Sequence, residues 1–534
     1  MAPTEPTSDP SILSAHVGGD GTPFRHHWNL VAGAGRANEG LRADWQRQLR
    51  EVIEVQGFRY LRFHGLFHDD MFVYREDESG QVAPSFQYMD VLFDALLESG
   101  IRPFVEFGFM PSEIAVHTAT GFWWRANGSP PTDFDKWEQL VLRTVEHWRD
   151  RYGIDEIRTW YFEVWNEPNL APFFRGTRAE YLEMYKRAAR AVKSVDTALR
   201  VGGPATSNFV PDARFDGETE DTSQHAMVLA AEDLSALEWK PVWLAEFLAF
   251  TEQESLPVDF ISVHPYPTDW ALDGHGQGAK LTRDVNATAR DLRLLRTLVN
   301  ESHYPDAEIH LTEWSSSSSS RDHTHDHLQA GTFVLKANLD TIGLVDSLAY
   351  WAFTDIFEEE GGGQEPFHGG FGLLTHHGIP KPTYHAYRFL AELGDELLAT
   401  TDVGALTRRS EDGKLVGALF HYPAEVTLTV PASIDSRDIA RATLATGTPR
   451  AVSVRIDGLA PDARFRLEVV DESSGNAIAA WTDRGSPANL SRADQAAIDE
   501  SARALRVEEY AASEGALTLD ITLQPWSFAL LTQL

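Results

Sequence analysis

Trp160-Tyr161-Phe162-Glu163-Val164-Trp165-Asn166-Glu167-Pro168-Asn169 is an apolar, aromatic run that halts at Asn-Glu-Pro. Its alternation predicts a buried strand with Glu163, Trp165 and Glu167 on one face and Phe162, Val164 and Asn166 on the other. Pro168 cannot donate to a ladder, so the strand stops and leaves Glu167 at its tip. A second run has the same design: in Glu308-Ile309-His310-Leu311-Thr312-Glu313-Trp314, alternation assigns Ile309, Leu311 and Glu313 to one face. Two strands therefore end in a glutamate.

Working outward, residues 1 to about 385 alternate short β-rich runs with longer helical patterns, the signature of βα units around a parallel sheet. Eight such runs are expected: Trp28–Ala32, Tyr60–His64, Pro103–Phe107, Trp160–Asn166, Arg200–Gly202, Phe260–His264, Ile309–Thr312 and Leu348–Phe353. Between them, apolar residues recur at helical spacing over Glu39–Val55, Gln87–Ser99, Phe134–Tyr152, Arg178–Val195, Thr282–Asn300 and Asp326–Leu339. This is the pattern of an α/β fold of the (β/α)8 TIM barrel type, whose chemistry sits at the carboxyl ends of the strands. After about residue 390 the texture changes to short alternating runs, Lys414–His421, Glu425–Val430, Val452–Ile456, Phe465–Val470 and Leu517–Leu523, separated by turn residues. These predict an accessory antiparallel β-sandwich, interrupted by one helix near Ser491–Arg506 that Ser491 caps. The expected division is a catalytic barrel over 18–385 and a sandwich built from 1–17 and 386–534.

A chain of 534 residues with 43% hydrophobic content is too long for a single core. Lys and Arg number 46 against 80 Asp and Glu, and the resulting charge of -34 disfavours nucleic acid and anionic membranes as partners. The absence of cysteine removes disulfides, thiolate metal sites and a cysteine nucleophile. No apolar run reaches the roughly 18 residues of a spanning helix. The first residues, Met1-Ala2-Pro3-Thr4-Glu5-Pro6, lack the basic start and apolar centre of a secretory signal, so the expectation is a cytoplasmic enzyme. The partner expected is a small sugar, with no cofactor and no metal; 15 Trp offer planes on which sugar rings stack.

Two facing carboxylates are what acetal hydrolysis needs, one protonated to assist the leaving oxygen and one ionised to attack or to activate water. Glu167 and Glu313 can face each other across one barrel mouth. Asn166 can donate to a sugar hydroxyl, and Tyr266, after His264-Pro265 at the end of the sixth strand, is placed to bond Glu313 and keep it ionised. Glu163 should lie deeper, where a bare carboxylate is costly, and Arg62 is its expected partner. Glu106 and Glu246 read as structural.

The residues Tyr161–Asn169, His264-Pro265-Tyr266, Leu311-Thr312-Glu313-Trp314 and the stretch Tyr350–Glu359 resemble glycoside hydrolase family 39. Phe63-His64-Gly65, Asp69-Asp70-Met71, Gly369-Gly370-Phe371-Gly372-Leu373 and Lys381-Pro382-Thr383-Tyr384-His385 extend the likeness over residues 20 to 390; Gly485-Ser486-Pro487 carries it weakly into the sandwich. The family comprises mainly β-xylosidases and α-L-iduronidases. The resemblance implies a retaining enzyme with Glu167 as acid/base, Glu313 as nucleophile and carboxyls about 5–5.5 Å apart. It also implies that His64, Asn166, His264, Trp351, Glu358 and Glu359 line the sugar pocket.

Charge separates the two activities. Iduronidases of the family carry a lysine two residues after the strand-six histidine, where this chain has Tyr266, and the acidic run Phe357-Glu358-Glu359-Glu360 would repel an anionic sugar. The expected function is release of terminal β-D-xylose from xylo-oligosaccharides or aryl β-xylosides. The alternatives are another linkage (iduronide, glucoside, mannoside or other pentoside) and a non-catalytic carbohydrate-binding barrel. His323-Thr324-His325-Asp326-His327 reads as the start of a helix capped by Asp326 rather than a metal cluster, and Ser315–Ser320 as a flexible loop.

Overall fold

The computed structural model describes residues 10–170, 173–207, 209–211, 239–272, 278–427 and 436–534. Eight strands form a closed, all-parallel barrel. They are β1 (Val31–Arg36), β2 (Tyr60–His64), β3 (Arg102–Phe107), β4 (Tyr161–Val164), β5 (Arg200–Ser207), β6 (Phe260–His264), β7 (Glu308–Trp314) and β8 (Ser347–Tyr350). Among the described residues no helix is long and apolar enough to cross a membrane.

The helices follow their local signals. Phe134–Tyr152 starts where the Asp133 carboxylate accepts from the amides of Asp135 and Lys136, and Arg178–Val195 starts at a capping box of Thr177 and Glu180. Ala43–Gln56 stops at Gly57, which adopts the left-handed conformation (φ 69°). The first strand departs from the expected Trp28–Ala32: His27–Asn29 form a 3-10 turn and the strand runs from Val31 to Arg36. Gly33, Gly35 and Ala34 weaken its β signal, but Gly33 is needed because a Cβ there would lie 2.4 Å from the Trp351 ring. The fifth strand is longer than the expected Arg200–Gly202.

The barrel interior is layered. Phe104, Tyr161, Phe260 and His310 plug its lower end, with Phe104 stacked on Tyr161 at 4.7 Å. The ionisable residues Arg62, Glu106 and Glu163 lie buried above this plug.

Beyond the barrel, a seven-stranded antiparallel sheet orders Thr22–Pro23, Glu396–Thr401, Gly404–Arg408, Leu415–Phe420, Phe528–Gln533, Arg464–Val470 and Arg506–Ala511. Facing it is a three-stranded sheet in which Arg450–Asp457 pairs in parallel with Ser11–His16 and antiparallel with Ala516–Leu523. Leu13, Leu406, Leu419, Val454, Phe465 and Leu519 belong to the core between them. The helix Arg492–Arg503 is capped by Ser491, whose hydroxyl accepts from the Asp494 amide at 3.1 Å. Of the strand expected over Glu425–Val430, residues 425–427 are not in a strand and 428–430 lie outside the described residues.

Two loop expectations are corrected. Ser315, Ser316, Ser317 and Ser320 are buried, with the Ser315 hydroxyl donating to the Ser317 carbonyl at 2.6 Å, so this polar run is packed structure. Asp326 caps no helix: Asp322 caps the 3-10 turn His323–Asp326, and the helix Leu328–Asp340 follows. Asp326 instead shares the buried Lys381 ammonium with Asp355, each at 2.7 Å. Its other oxygen accepts from the Gly369 amide at 2.7 Å and Asp355 accepts from Gly372 at 2.6 Å, so the triad ties down the segment 369–372. Removing the cation leaves two buried carboxylates uncompensated. We expect Lys381→Met to cost about 3–5 kcal/mol in denaturant unfolding; a loss below about 1 kcal/mol would show that the triad contributes little.

Candidate active site

β4 ends at Val164, three residues before Glu167, because Trp165 turns into the left-handed region (φ 73°). The expected alternation therefore breaks. The Trp165 ring packs outward against Trp137, Phe109 and Phe174, and its indole N–H donates to the Phe173 carbonyl at 3.2 Å. Asn166, expected opposite Glu163, instead joins it inside, its Oδ1 accepting from Arg62 at 2.8 Å. Glu167, also at positive φ (43°), is anchored by its amide to the Ala205 carbonyl at 2.9 Å.

β7 shows a similar correction. Ile309 and Leu311 face the surrounding helices, while His310 and Thr312 point inward. The β7–β8 register shifts between Leu311 and Trp314, and that irregularity lets Glu313 point inward directly after Thr312. Both glutamates thus reach the mouth through interrupted pleating, not through the regular alternation that flagged them.

Arg62 joins the floor to the mouth. Its Nε donates to Glu163 at 2.6 Å, Nη1 to Glu313 at 2.8 Å, and Nη2 to Asn166 at 2.8 Å, with Glu106 3.0 Å from Nη2. The pairing of Arg62 with Glu163 is as expected; the further contacts with Glu313 and Glu106 were not anticipated. His64 lies between Glu106 (Nδ1, 2.6 Å) and Glu313 (Nε2, 3.2 Å). Burial alone would discharge this imidazole, but the two carboxylates outweigh it and raise its pKa to about 10. His264 places Nδ1 2.9 Å from Glu167 and Nε2 2.9 Å from the Thr312 hydroxyl; burial lowers its pKa to about 3, so it is neutral at pH 7. The Tyr266 hydroxyl donates to Glu313 at 3.3 Å.

The two glutamates titrate in opposite directions. Burial, reinforced by the negative charge of Glu313, pushes Glu167 well above its usual 4.5. Burial also opposes ionisation of Glu313, but the His64 hydrogen bond and the Arg62 and His64 charges outweigh it and hold the carboxyl far below its usual range. With His264 neutral, the standing charges that do this are Arg62 and His64. One oxygen of each glutamate and a ring nitrogen of His264 all lie within 4.8 Å of one another. Three such ligands could also hold a cation; the His323–His327 run forms no comparable group among the described residues.

The remaining candidates divide. Trp351 is buried with its ring 4.7 Å from that of His64. Glu359 lies 3.8 Å from His64 Nε2, and burial raises its carboxyl to about 8. Glu358 turns away, held by Arg36 at 2.8 Å and Arg42 at 3.2 Å. Arg36 in turn pairs with Asp70 and lies over the Trp124 ring, bracing the segment that carries Glu359. Arg36 and Thr312 were missed by the sequence reading; Thr312 was accessible, because it shares parity with the inward His310.

The profile described as glycosyl hydrolases family 39 matches residues 15–504. A β-xylosidase of Geobacillus stearothermophilus is 34% identical over 516 residues, 94% of this chain and 91% of that protein. One from Caldicellulosiruptor saccharolyticus is 35% identical over 521 residues, covering 95% and 94%. The crystal structure of a monomeric β-xylosidase from Caulobacter crescentus CB15 superposes with a TM-score of 0.82 at 28% identity, over 98% of this chain and 99% of that one.

The raised Glu167 pKa has a stability consequence. Between 4.5 and the raised value the folded chain holds a proton that the unfolded chain has lost, so stability falls as pH rises through that window. Glu167→Gln mimics the protonated form and removes this slope. The variant's stability advantage should therefore grow with pH above 4.5, by up to about 1.4 kcal/mol per unit; an advantage independent of pH would place the proton elsewhere.

Proposed function

The chain belongs to glycosyl hydrolases family 39, and from that premise we propose that Glu167 and Glu313 perform the two halves of a retaining β-xylosidase reaction. The protein is a glycoside hydrolase that releases terminal β-D-xylose from xylo-oligosaccharides or aryl β-xylosides. The carrying observation is the pair of neighbouring carboxyls whose surroundings push their pKa values in opposite directions.

In the first step a Glu313 oxygen attacks the anomeric carbon while the bond to the leaving oxygen breaks, and that oxygen takes the proton from Glu167. The carboxylate charge of Glu313 is consumed in the ester, which removes the repulsion that raised Glu167. Glu167, now ionised, accepts a proton from water as the water oxygen bonds the anomeric carbon and the ester bond to Glu313 breaks. Two inversions return the original configuration. An approach of the two carboxyls to within 4.8 Å is closer to the roughly 5–5.5 Å spacing of retaining pairs than to the roughly 6.5–9.5 Å of inverting ones, which supports this reading.

His64, Asn166, Tyr266, Trp351 and Glu359 support the sugar, with Trp351 as its apolar plane and Glu359 as a hydroxyl partner. Glu358 contributes indirectly, through Arg36 and Arg42. The nearby cations Arg62 and His64 are engaged by carboxylates, and an added sugar carboxylate would face Glu359 and Glu313. This favours a neutral pentose over an iduronide.

Aryl β-xyloside should be cleaved rapidly, with little turnover of aryl iduronide or glucoside, and proton NMR should show β-xylose as first product. Glu167→Ala should lose roughly 10²–10⁴-fold on substrates with poor leaving groups, and Glu313→Gly should lose at least as much. Azide should rescue Glu167→Ala on activated substrates, giving a β-glycosyl azide. An α-configured first product would overturn the double displacement.

A further inference from the structure

The reading of Glu167 as acid/base leaves open what keeps the proton on it. A continuous set of hydrogen bonds runs inward from this carboxyl: Glu167 Oε1 to His264 Nδ1 (2.9 Å), His264 Nε2 to Thr312 Oγ1 (2.9 Å), and Thr312 Oγ1 to Glu163 Oε1 (2.7 Å). The chain ends at Arg62, whose Nε holds the other Glu163 oxygen at 2.6 Å.

The direction of every bond follows from counting protons. Arg62 Nε donates to one Glu163 oxygen and the Thr312 hydroxyl donates to the other, so Glu163 is the acceptor on both sides. The Thr312 hydroxyl has a single proton, which it donates to Glu163; toward His264 it can then only accept. Neutral His264 must therefore carry its proton on Nε2 and present a lone pair at Nδ1. The group facing that lone pair, Glu167 Oε1, satisfies it only as a carboxylic acid.

We infer that Thr312 is a positioning residue: by setting the tautomer of His264 from the buried Glu163–Arg62 pair, it holds the acidic proton on Glu167 in the free enzyme. This rests on the assignment of Glu167 as acid/base. The other charged or titratable groups around Glu167 are Glu313, Glu359, His64 and Tyr266; those around His264 and Thr312 are Glu163, Arg62, His64 and Glu313. None of them donates to His264 Nδ1 in competition with Glu167: the nearest, Glu313, is 4.0 Å away and ionised. Removing the Thr312 hydroxyl would let the ring carry its proton on Nδ1, where it would donate to and stabilise ionised Glu167.

The pH dependence of kcat/KM reports free-enzyme ionisations, with Glu313 on the acid limb and Glu167 on the basic limb. In Thr312→Val the basic limb should move to lower pH by about one unit or more, while Thr312→Ser should keep it in place. An unmoved limb in Thr312→Val, or a serine variant that shifts as far, would overturn the inference. A Glu167→Ala control separates the two claims: on an activated aryl xyloside its basic limb should vanish, and persistence would refute the role of Glu167 instead. Should Thr312→Val not fold, 15N shifts of the His264 ring in the unmodified enzyme, assigned by difference against His264→Gln, decide the matter: protonated Nε2 supports the inference and protonated Nδ1 contradicts it.

Discussion

A guanidinium sealed inside a barrel is the constraint on which this site depends. Arg62 is fully buried and meets Glu163, Glu313 and Glu106 within 3.0 Å. Transfer of so many charges from water is costly unless each is paired, and the aromatic plug of Phe104, Tyr161 and Phe260 closes the interior to water from below. The arrangement places fixed positive charge beneath the mouth, so that one carboxylate there ionises easily. The second, which faces this negative charge and among the described residues touches no cation that can answer it, keeps its proton. The division of labour between the glutamates thus originates one layer below them, in β2, β3 and β4.

Much of the fold was legible. Strand positions at β2, β4, β6 and β7, and the helices Phe134–Tyr152 and Arg178–Val195, follow from periodicity and capping residues that act locally. β1 was misplaced because Gly33 and Gly35 serve tertiary needs, clearing Trp351 and Glu39, and so dilute the strand signal. The buried serines were misread for a comparable reason: the Ser315 hydroxyl bonds the Ser317 carbonyl within the turn and tertiary packing covers the run, which composition does not reveal.

The site was legible for a reason partly different from the one that flagged it. Glutamates at strand ends were the correct residues to notice, but regular alternation does not deliver them: left-handed Trp165 and the irregularity in β7 do. Such breaks cost backbone energy and are concentrated where function requires a particular aim. Thr312, by contrast, obeys the alternation, and reading β7 from His310 would have placed it inward next to the active carboxyls. Contacts such as Arg36 with Glu358 join residues 322 positions apart, and nothing local announces them.

Covalent trapping tests the central claim most directly. A xyloside fluorinated at carbon 2 with a good leaving group slows both steps by destabilising the oxocarbenium-like transition states, but still forms the ester and lets it accumulate. Peptide mass spectrometry of the trapped protein should find one fluoroxylosyl group, on Glu313. A label on Glu167, or no label while turnover gives inverted xylose, would contradict the account.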